Sequence, residues 1–265
     1  MLGKLIKHEW KAVAKLLLVI HIALLAMAVI GKLLLSIKPL QEVSALWGML
    51  LLVYVVSNIA VGIGTHIFLA ARFYKNMYTD EGYLSFTLPV KPWEHLLSKL
   101  LVAVAWVLID FVVIVGSVLI LSGHQGMTGE IKIAVSGLGE SFTIMGMSPV
   151  LWGIQLVILG LLNLIMAVLM YYFSISIGQL AKTHKLAASI VIFVVTFNGV
   201  RIVMSLIDIL ALVIMNSIGG GLQSSNVTRG MYGNLMGVSI VEVIVLCVIF
   251  WCTCNYIMSK KLNLE

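Results

Sequence analysis

Six long apolar stretches dominate the chain, at about residues 16–35, 45–71, 96–121, 150–177, 186–214 and 235–258. Each is as long as the ~20 residues that a helix needs to cross the hydrocarbon core of a bilayer. Runs such as Leu101-Val102-Ala103-Val104-Ala105-Trp106-Val107-Leu108-Ile109 do not alternate between apolar and polar. A membrane β-barrel, with alternating segments of about ten residues, is therefore excluded. The pattern predicts an all-α membrane protein with six transmembrane helices.

A different pattern precedes the first stretch. At ~100° per residue, Lys4, Lys7, Lys11 and Lys15 fall within an arc of roughly 80°. Leu2, Leu5, Ile6, Trp10 and Val13 cover the other side. The spacing predicts an amphipathic helix over 1–15, lying in the membrane interface with its lysines on anionic headgroups. The plainer alternative is an ordinary basic flank of the first span. Ala26-Met27-Ala28 imitates a signal-peptide cleavage site, but the long amphipathic segment before it, with Trp10, argues that the first span is retained.

Composition strengthens the membrane assignment. Hydrophobic residues make up 61% of the 265 and charged residues only 11%, against about 25% charged in soluble domains. So little charge excludes a soluble enzyme, a nucleic-acid binder and a disordered chain. The net charge of +6 then reads as the basic bias of cytoplasmic loops. With a cytoplasmic N-terminus, Lys4, Lys7, Lys11, Lys15, Arg72, Lys75, Lys91, Lys99, Lys182, Lys185, Lys260 and Lys261 fall inside, and Lys32, Lys38, Lys132 and Arg229 outside. Twelve against four predicts both termini in the cytoplasm. The longest outer connection, 122–149, is rich in glycine and too short for a folded domain; the last carries Gly219-Gly220-Gly221. Without a visible repeat or linker, residues 1–265 are expected to form one transmembrane domain. Cys247, Cys252 and Cys254 all fall in the last apolar stretch, which argues against a disulfide framework, and with no nearby His or Asp they do not suggest a metal site.

The connection between the second and third stretches stands apart. It reads Arg72-Phe73-Tyr74-Lys75-Asn76-Met77-Tyr78-Thr79-Asp80-Glu81-Gly82-Tyr83-Leu84-Ser85-Phe86-Thr87-Leu88-Pro89-Val90-Lys91-Pro92-Trp93-Glu94-His95. A short helix capped by Thr79 or Asp80 and ended by Pro89 is expected, with Pro92 opening the next helix. So many aromatics on a cytoplasmic loop call for a partner surface, or else for packing of the loop under the membrane.

The stretch Asp80-Glu81-Gly82-Tyr83-Leu84-Ser85-Phe86-Thr87-Leu88-Pro89-Val90 resembles the first cytoplasmic loop of ABC-2-type exporter permeases of Gram-positive bacteria. Met1-Leu2-Gly3-Lys4-Leu5-Ile6-Lys7-His8-Glu9-Trp10-Lys11 resembles their N-terminal interfacial helix. Six spans with both termini inside fit the same family over essentially the whole chain. The resemblance implies a multi-pass, non-catalytic permease of the bacterial cell membrane. The loop would be the coupling helix, with Asp80, Glu81, Tyr83, Leu84, Phe86, Leu88 and Pro89 meeting a separate ABC ATPase that carries the ATP and Mg. A second permease half, identical or not, would complete the path. The size and compact outer loops suggest peptides or lipophilic antibiotics as cargo, by analogy alone.

The chain has no Gly-x-x-x-x-Gly-Lys-Ser/Thr phosphate cradle of its own. Leu121-Ser122-Gly123-His124-Gln125 imitates an ABC ATPase signature but sits on the outer side without a Walker motif. Asp110, Arg201, Asp208 and Glu242 lie inside spans, where a charge costs about 2.5–3.5 kcal/mol. They read either as a structural ion pair or as a polar lining of the transport path. Arg201 and Asp208 are ~10 Å apart along one helix, so Asp110 or Glu242 is the expected partner of Arg201. His21 and His66 are near enough in depth to meet, but two histidines without carboxylates are poor evidence for a metal. A membrane metalloprotease would need His-Glu-x-x-His; His8-Glu9 lacks the second histidine. A secondary transporter or small-molecule-binding membrane subunit would favour internal repeats.

Overall fold

The computed structural model describes residues 2–37, 44–87, 89–122, 136–137, 148–218 and 225–260. The main helices are α1 (Leu2–Leu35), α2 (Ser44–Tyr78), α3 (Asp80–Thr87), α4 (Pro92–Ser122), α5 (Pro149–Gly178), α6 (Lys185–Ile218) and α7 (Ser225–Lys260). All but α3 are long and apolar enough to cross a membrane, and they coincide with the six apolar stretches.

The helices run past those stretches. α1 is one continuous helix of 34 residues, about 51 Å long against a hydrocarbon core of ~30 Å. The separate interfacial helix expected over 1–15 is instead the beginning of α1. The junction explains this: Lys11-Ala12-Val13-Ala14-Lys15-Leu16 holds neither Gly nor Pro, so nothing there interrupts the hydrogen-bond ladder. Its buried stripe, Val13, Leu17, Leu24 and Ala28, continues at helical spacing across the boundary.

Local chemistry sets the other ends. Pro92 opens α4 where its missing N–H costs nothing. The Lys91 amide donates to the Glu94 carboxylate at 3.2 Å, half of a capping box. Thr79 does not cap α3; its hydroxyl turns back to the Lys75 carbonyl of α2. Asp80 and Glu81 sit in the first turn of α3, where carboxylates complement the exposed N–H groups. α3 ends at Thr87, two residues before Pro89.

Tertiary contacts divide the chain into two compact units, Met1–Lys132 and Ile133–Glu265. In the first, α1 packs chiefly on α4, α2 packs on both, and α3 folds back on α2. Buried Leu17 and Leu24 of α1, Phe73 and Met77 of α2, and Leu96 and Trp106 of α4 form its centre. In lipid the helices gain little from apolar burial itself, so close packing and hydrogen bonds hold them. Tyr54 and Ser117 hydroxyls meet at 2.7 Å, and the Ser117 hydroxyl also reaches the Asn58 side-chain oxygen at 3.2 Å, joining α2 to α4.

In the second unit α5 packs on α7 and α6. Phe173 and Phe250 pack as a tilted ring pair with centroids 4.7 Å apart across α5 and α7. α6 begins close against the end of α5: a Cβ on Gly178 would lie 2.7 Å from the Ser189 Cα and collide with its hydroxyl. Glycine is required there. No part of the most apolar window of α6 is buried among the described residues.

Candidate functional site: a charged cluster at one end of the first unit

Three helices of the first unit bring charge to one place: α1 at its start, α2 at its end and α4 at its start. Glu9 of α1 is the hub. Arg72 of α2 donates Nε to Glu9 Oε1 at 2.6 Å and Nη2 to Oε2 at 3.3 Å. Lys99 of α4 donates Nζ to Oε2 at 3.1 Å. The side chains of Glu9 and Lys99 are 12% and 8% exposed. A buried ion pair is expensive to assemble, and breaking it costs about 3–5 kcal/mol because a partner is left uncompensated.

The cluster extends to α3. With the Asn76 amide oriented to satisfy both neighbours, its nitrogen donates to Glu81 at 2.9 Å and its oxygen accepts from Lys99 at 3.2 Å. Lys75 meets Glu81 at 2.9 Å, but both are exposed and that pair contributes little. Ser85 donates to the Asn76 carbonyl at 3.3 Å. Gly82 permits the fold-back: a Cβ there would lie 2.6 Å from the Met77 carbonyl oxygen. Beside the cluster lies a cavity of about 550 Å³ bordered by α1, α2, α3 and α4.

The expected docking residues are distributed over this region. Asp80 is exposed at the start of α3. Glu81 is held by Lys75 and Asn76. Tyr83 is 64% exposed. Phe86 is half-buried, its ring 6.0 Å from that of His95, so part of its surface already packs on α4. Pro89 is exposed in the link to α4. The Leu84 side chain and Leu88 lie outside the described residues. Of the lysine stripe, Lys4 borders the cavity, while Lys7, Lys11 and Lys15 point outward and are exposed.

Asp110 belongs to the first unit and Arg201, Asp208 and Glu242 to the second, where Asp208 and Glu242 lie near enough to act on one another electrostatically. Asp110 accepts or shares a hydrogen bond with His21 at 2.9 Å, so a carboxylate adjoins the histidine. Arg201 is exposed, its guanidinium 5.6 Å from the Phe197 ring centroid. Among the described residues of the second unit it has no carboxylate within ion-pair reach, and the pairing expected with Glu242 is not made. Asp208 accepts from the Ser239 hydroxyl at 3.3 Å. Glu242 is 8% exposed, and neither carboxylate oxygen has a hydrogen-bond partner among the described residues. Among those residues no three His, Cys, Asp or Glu side chains are grouped to hold a metal.

Sequence reasoning missed Glu9, Arg72, Asn76, His95 and Lys99 as a unit. A signal existed: Glu9 is the lone acid on a basic helix, and Arg72 and Lys99 flank the two spans that meet it. Reading each charge only against its own helix concealed their common depth. No family model, curated protein or solved structure matches the chain.

Proposed function

We propose that the chain is the transmembrane subunit of an ATP-driven exporter of the ABC-2 type, in the bacterial cell membrane, moving peptides or lipophilic antibiotics outward. Six apolar helices fit a multi-pass membrane protein in general. The finer reading draws on the resemblance of residues 80–90 and 1–11. One observation carries it: α3 forms a separate short helix between two spans, fixed by the close turn at Gly82, with Tyr83 turned outward. In this reading α3 docks on a soluble ATPase that binds ATP and Mg, and a second permease half completes the path. Movement of α3 reaches the bundle through Asn76, Lys99 and Glu9.

Buried aromatic anchors of an interface typically cost about 2 kcal/mol or more when truncated. Tyr83→Ala with Phe86→Ala is therefore expected to release the ATPase from purified complexes and to abolish transport-coupled hydrolysis. Tyr83→Ala alone, which removes only an exposed ring, should cause most of the loss with an unchanged thermal midpoint. Retention of the ATPase at wild-type stoichiometry, with transport intact, would remove α3 from the coupling role.

A second reading, a secondary transporter, is favoured by the division into two units of three long helices each, the arrangement that paired repeats produce. Transport that persists in vesicles without ATP but follows an ion gradient would select it.

A further inference from the structure

The cavity beside Glu9 has a surplus of hydrogen-bond donors. Its walls carry the basic side chains Lys4, His8, Arg72, His95 and Lys99, and the acidic Glu9 and Glu81. Both acids are already engaged: Glu9 by Arg72 and Lys99, Glu81 by Lys75 and Asn76. The bases are not. A guanidinium offers five N–H donors, of which Arg72 gives two to Glu9. An ammonium offers three, of which Lys99 gives one to Glu9 and one to Asn76. His95 is 4% exposed, and its Nε2 is buried without a partner. Lys4 and His8 stand exposed at the rim. Of the cavity's basic groups His95 Nε2 is the one buried without a partner among the described residues, and inside a protein such a group is costly unless something fills it.

We propose that this cavity is a binding site for a phosphate-bearing anion, with Lys4 and His8 at its mouth and Arg72, His95 and Lys99 on its wall. A phosphate group presents several oxygens in different directions, and so matches donors converging from α1, α2 and α4; a guanidinium pairs with it in bidentate fashion. The volume, about 550 Å³, lies in the range of sites for small ligands, ~300–1,000 Å³, and accommodates a lipid headgroup. Two sources have this chemistry: the headgroup of an anionic phospholipid, and a soluble phosphate ester. Glu81 and Ser85 place α3 on the same wall, so an occupant would be lodged between α3 and the rest of the unit. The site stands on its own geometry and does not depend on the exporter reading.

The full chain, purified and stripped of lipid, is titrated with phosphatidylglycerol, and bound lipid is counted by native mass spectrometry. Phosphatidylcholine of the same chains serves as the reference, since its phosphate is screened by its own ammonium. Saturable binding of a single phosphatidylglycerol, favoured about tenfold over the reference, is expected; that factor corresponds to about 1.4 kcal/mol. Lys4→Glu with His8→Glu, both exposed and harmless to the fold, should reduce it about tenfold. Lys7→Glu with Lys11→Glu, on the same helix but away from the cavity, should leave it within about twofold. Displacement of the lipid by glycerol phosphate would support the site and identify a soluble ester as a ligand. Retention of the lipid against that competitor would support it and assign the headgroup. Absence of saturable binding with every phosphate probe, or an equal loss in the two double variants, would overturn it. No ATPase enters the assay, so failure here leaves the exporter reading untouched.

Discussion

In the first unit Glu9 takes both Arg72 and Lys99, and His21 takes Asp110 at 2.9 Å. In the second, Arg201 rests over an aromatic ring, Asp208 has a serine hydroxyl, and Glu242 is buried with no hydrogen-bond partner among the described residues. The two units thus put charge to opposite uses. Paired charges on three helices act as a clamp: separating the helices leaves them uncompensated in a medium that solvates them poorly. In the second unit the hydrogen bond from Ser239 to Asp208 joins α6 to α7, but no ion pair does so among the described residues, and a charge at membrane depth costs about 2.5–3.5 kcal/mol on an insertion scale. Such a charge persists only where it faces water or a partner. On α6, Asn198, Arg201, Ser205 and Asp208 fall within an arc of roughly 80°, and the first three are exposed. On the transport reading this polar stripe belongs to the path, whereas the first unit carries the coupling machinery.

The largest expected effect tests the clamp. Glu9→Ala should destabilise the protein by about 3–5 kcal/mol, read as a lowered midpoint in unfolding from lipid nanodiscs or mild detergent. Removing all three charges together, as Glu9→Leu, Arg72→Leu and Lys99→Met, should recover much of that loss, since no unpaired charge remains. Glu242→Ala should show no comparable drop. Equal losses at Glu9 and Glu242 would erase the distinction between the units.

The second effect is smaller and lies deeper in the same unit. His21→Leu and Asp110→Leu each remove one side of a pair whose side chains are 4% and 6% exposed. Combined in a double-mutant cycle, they should show a coupling of about 1 kcal/mol or more. His21 also stacks near Trp106, with rings 6.0 Å apart, and this contact should appear as a loss in His21→Leu that Asp110→Leu does not share. A coupling below about 0.3 kcal/mol, the limit of simple additivity, would mean that the hydrogen bond contributes nothing.

Much of the architecture was legible because it depends on length and composition alone. A helix across a bilayer needs a long apolar run, and the six runs are unmistakable; Pro92 marks a helix start for a reason local to the residue. The continuity of α1 was less visible. Its lysine stripe suggested a separate surface helix, but whether a helix stops depends on a breaker, and residues 11–16 contain none. The charged cluster was hardest to foresee. Glu9, Arg72 and Lys99 are separated by 63 and 90 positions along the chain, and no helical spacing links them. Only the packing of α1 against α4 and α2 brings them together. The sequence treated Tyr83 and Phe86 alike, as loop aromatics in want of a partner surface; Tyr83 is exposed, whereas the contact of Phe86 with His95 crosses from α3 to α4 and no local spacing announces it.

The smallest expected effect belongs to the second unit. The sequence suggested that Arg201 pairs with Asp110 or Glu242, since a guanidinium in hydrocarbon needs a counter-charge. In the structure Asp110 is engaged by His21, and the described contact of Arg201 is the Phe197 ring at 5.6 Å. An exposed cation–π contact contributes about 0.5–1 kcal/mol, and replacing the arginine strands no carboxylate. Arg201→Leu should therefore change the unfolding free energy by less than about 1 kcal/mol. A cycle with Glu242→Gln should show coupling under about 0.5 kcal/mol, as for independent sites. If the polar stripe lines the path, transport should nonetheless fall in Arg201→Leu and recover in part in Arg201→Lys, which keeps the charge. A coupling above about 1 kcal/mol between Arg201 and Glu242 would show that the second unit does pair its charges in the membrane. Both units would then be held by the same kind of interaction, and the polar face of α6 would need no path to explain it.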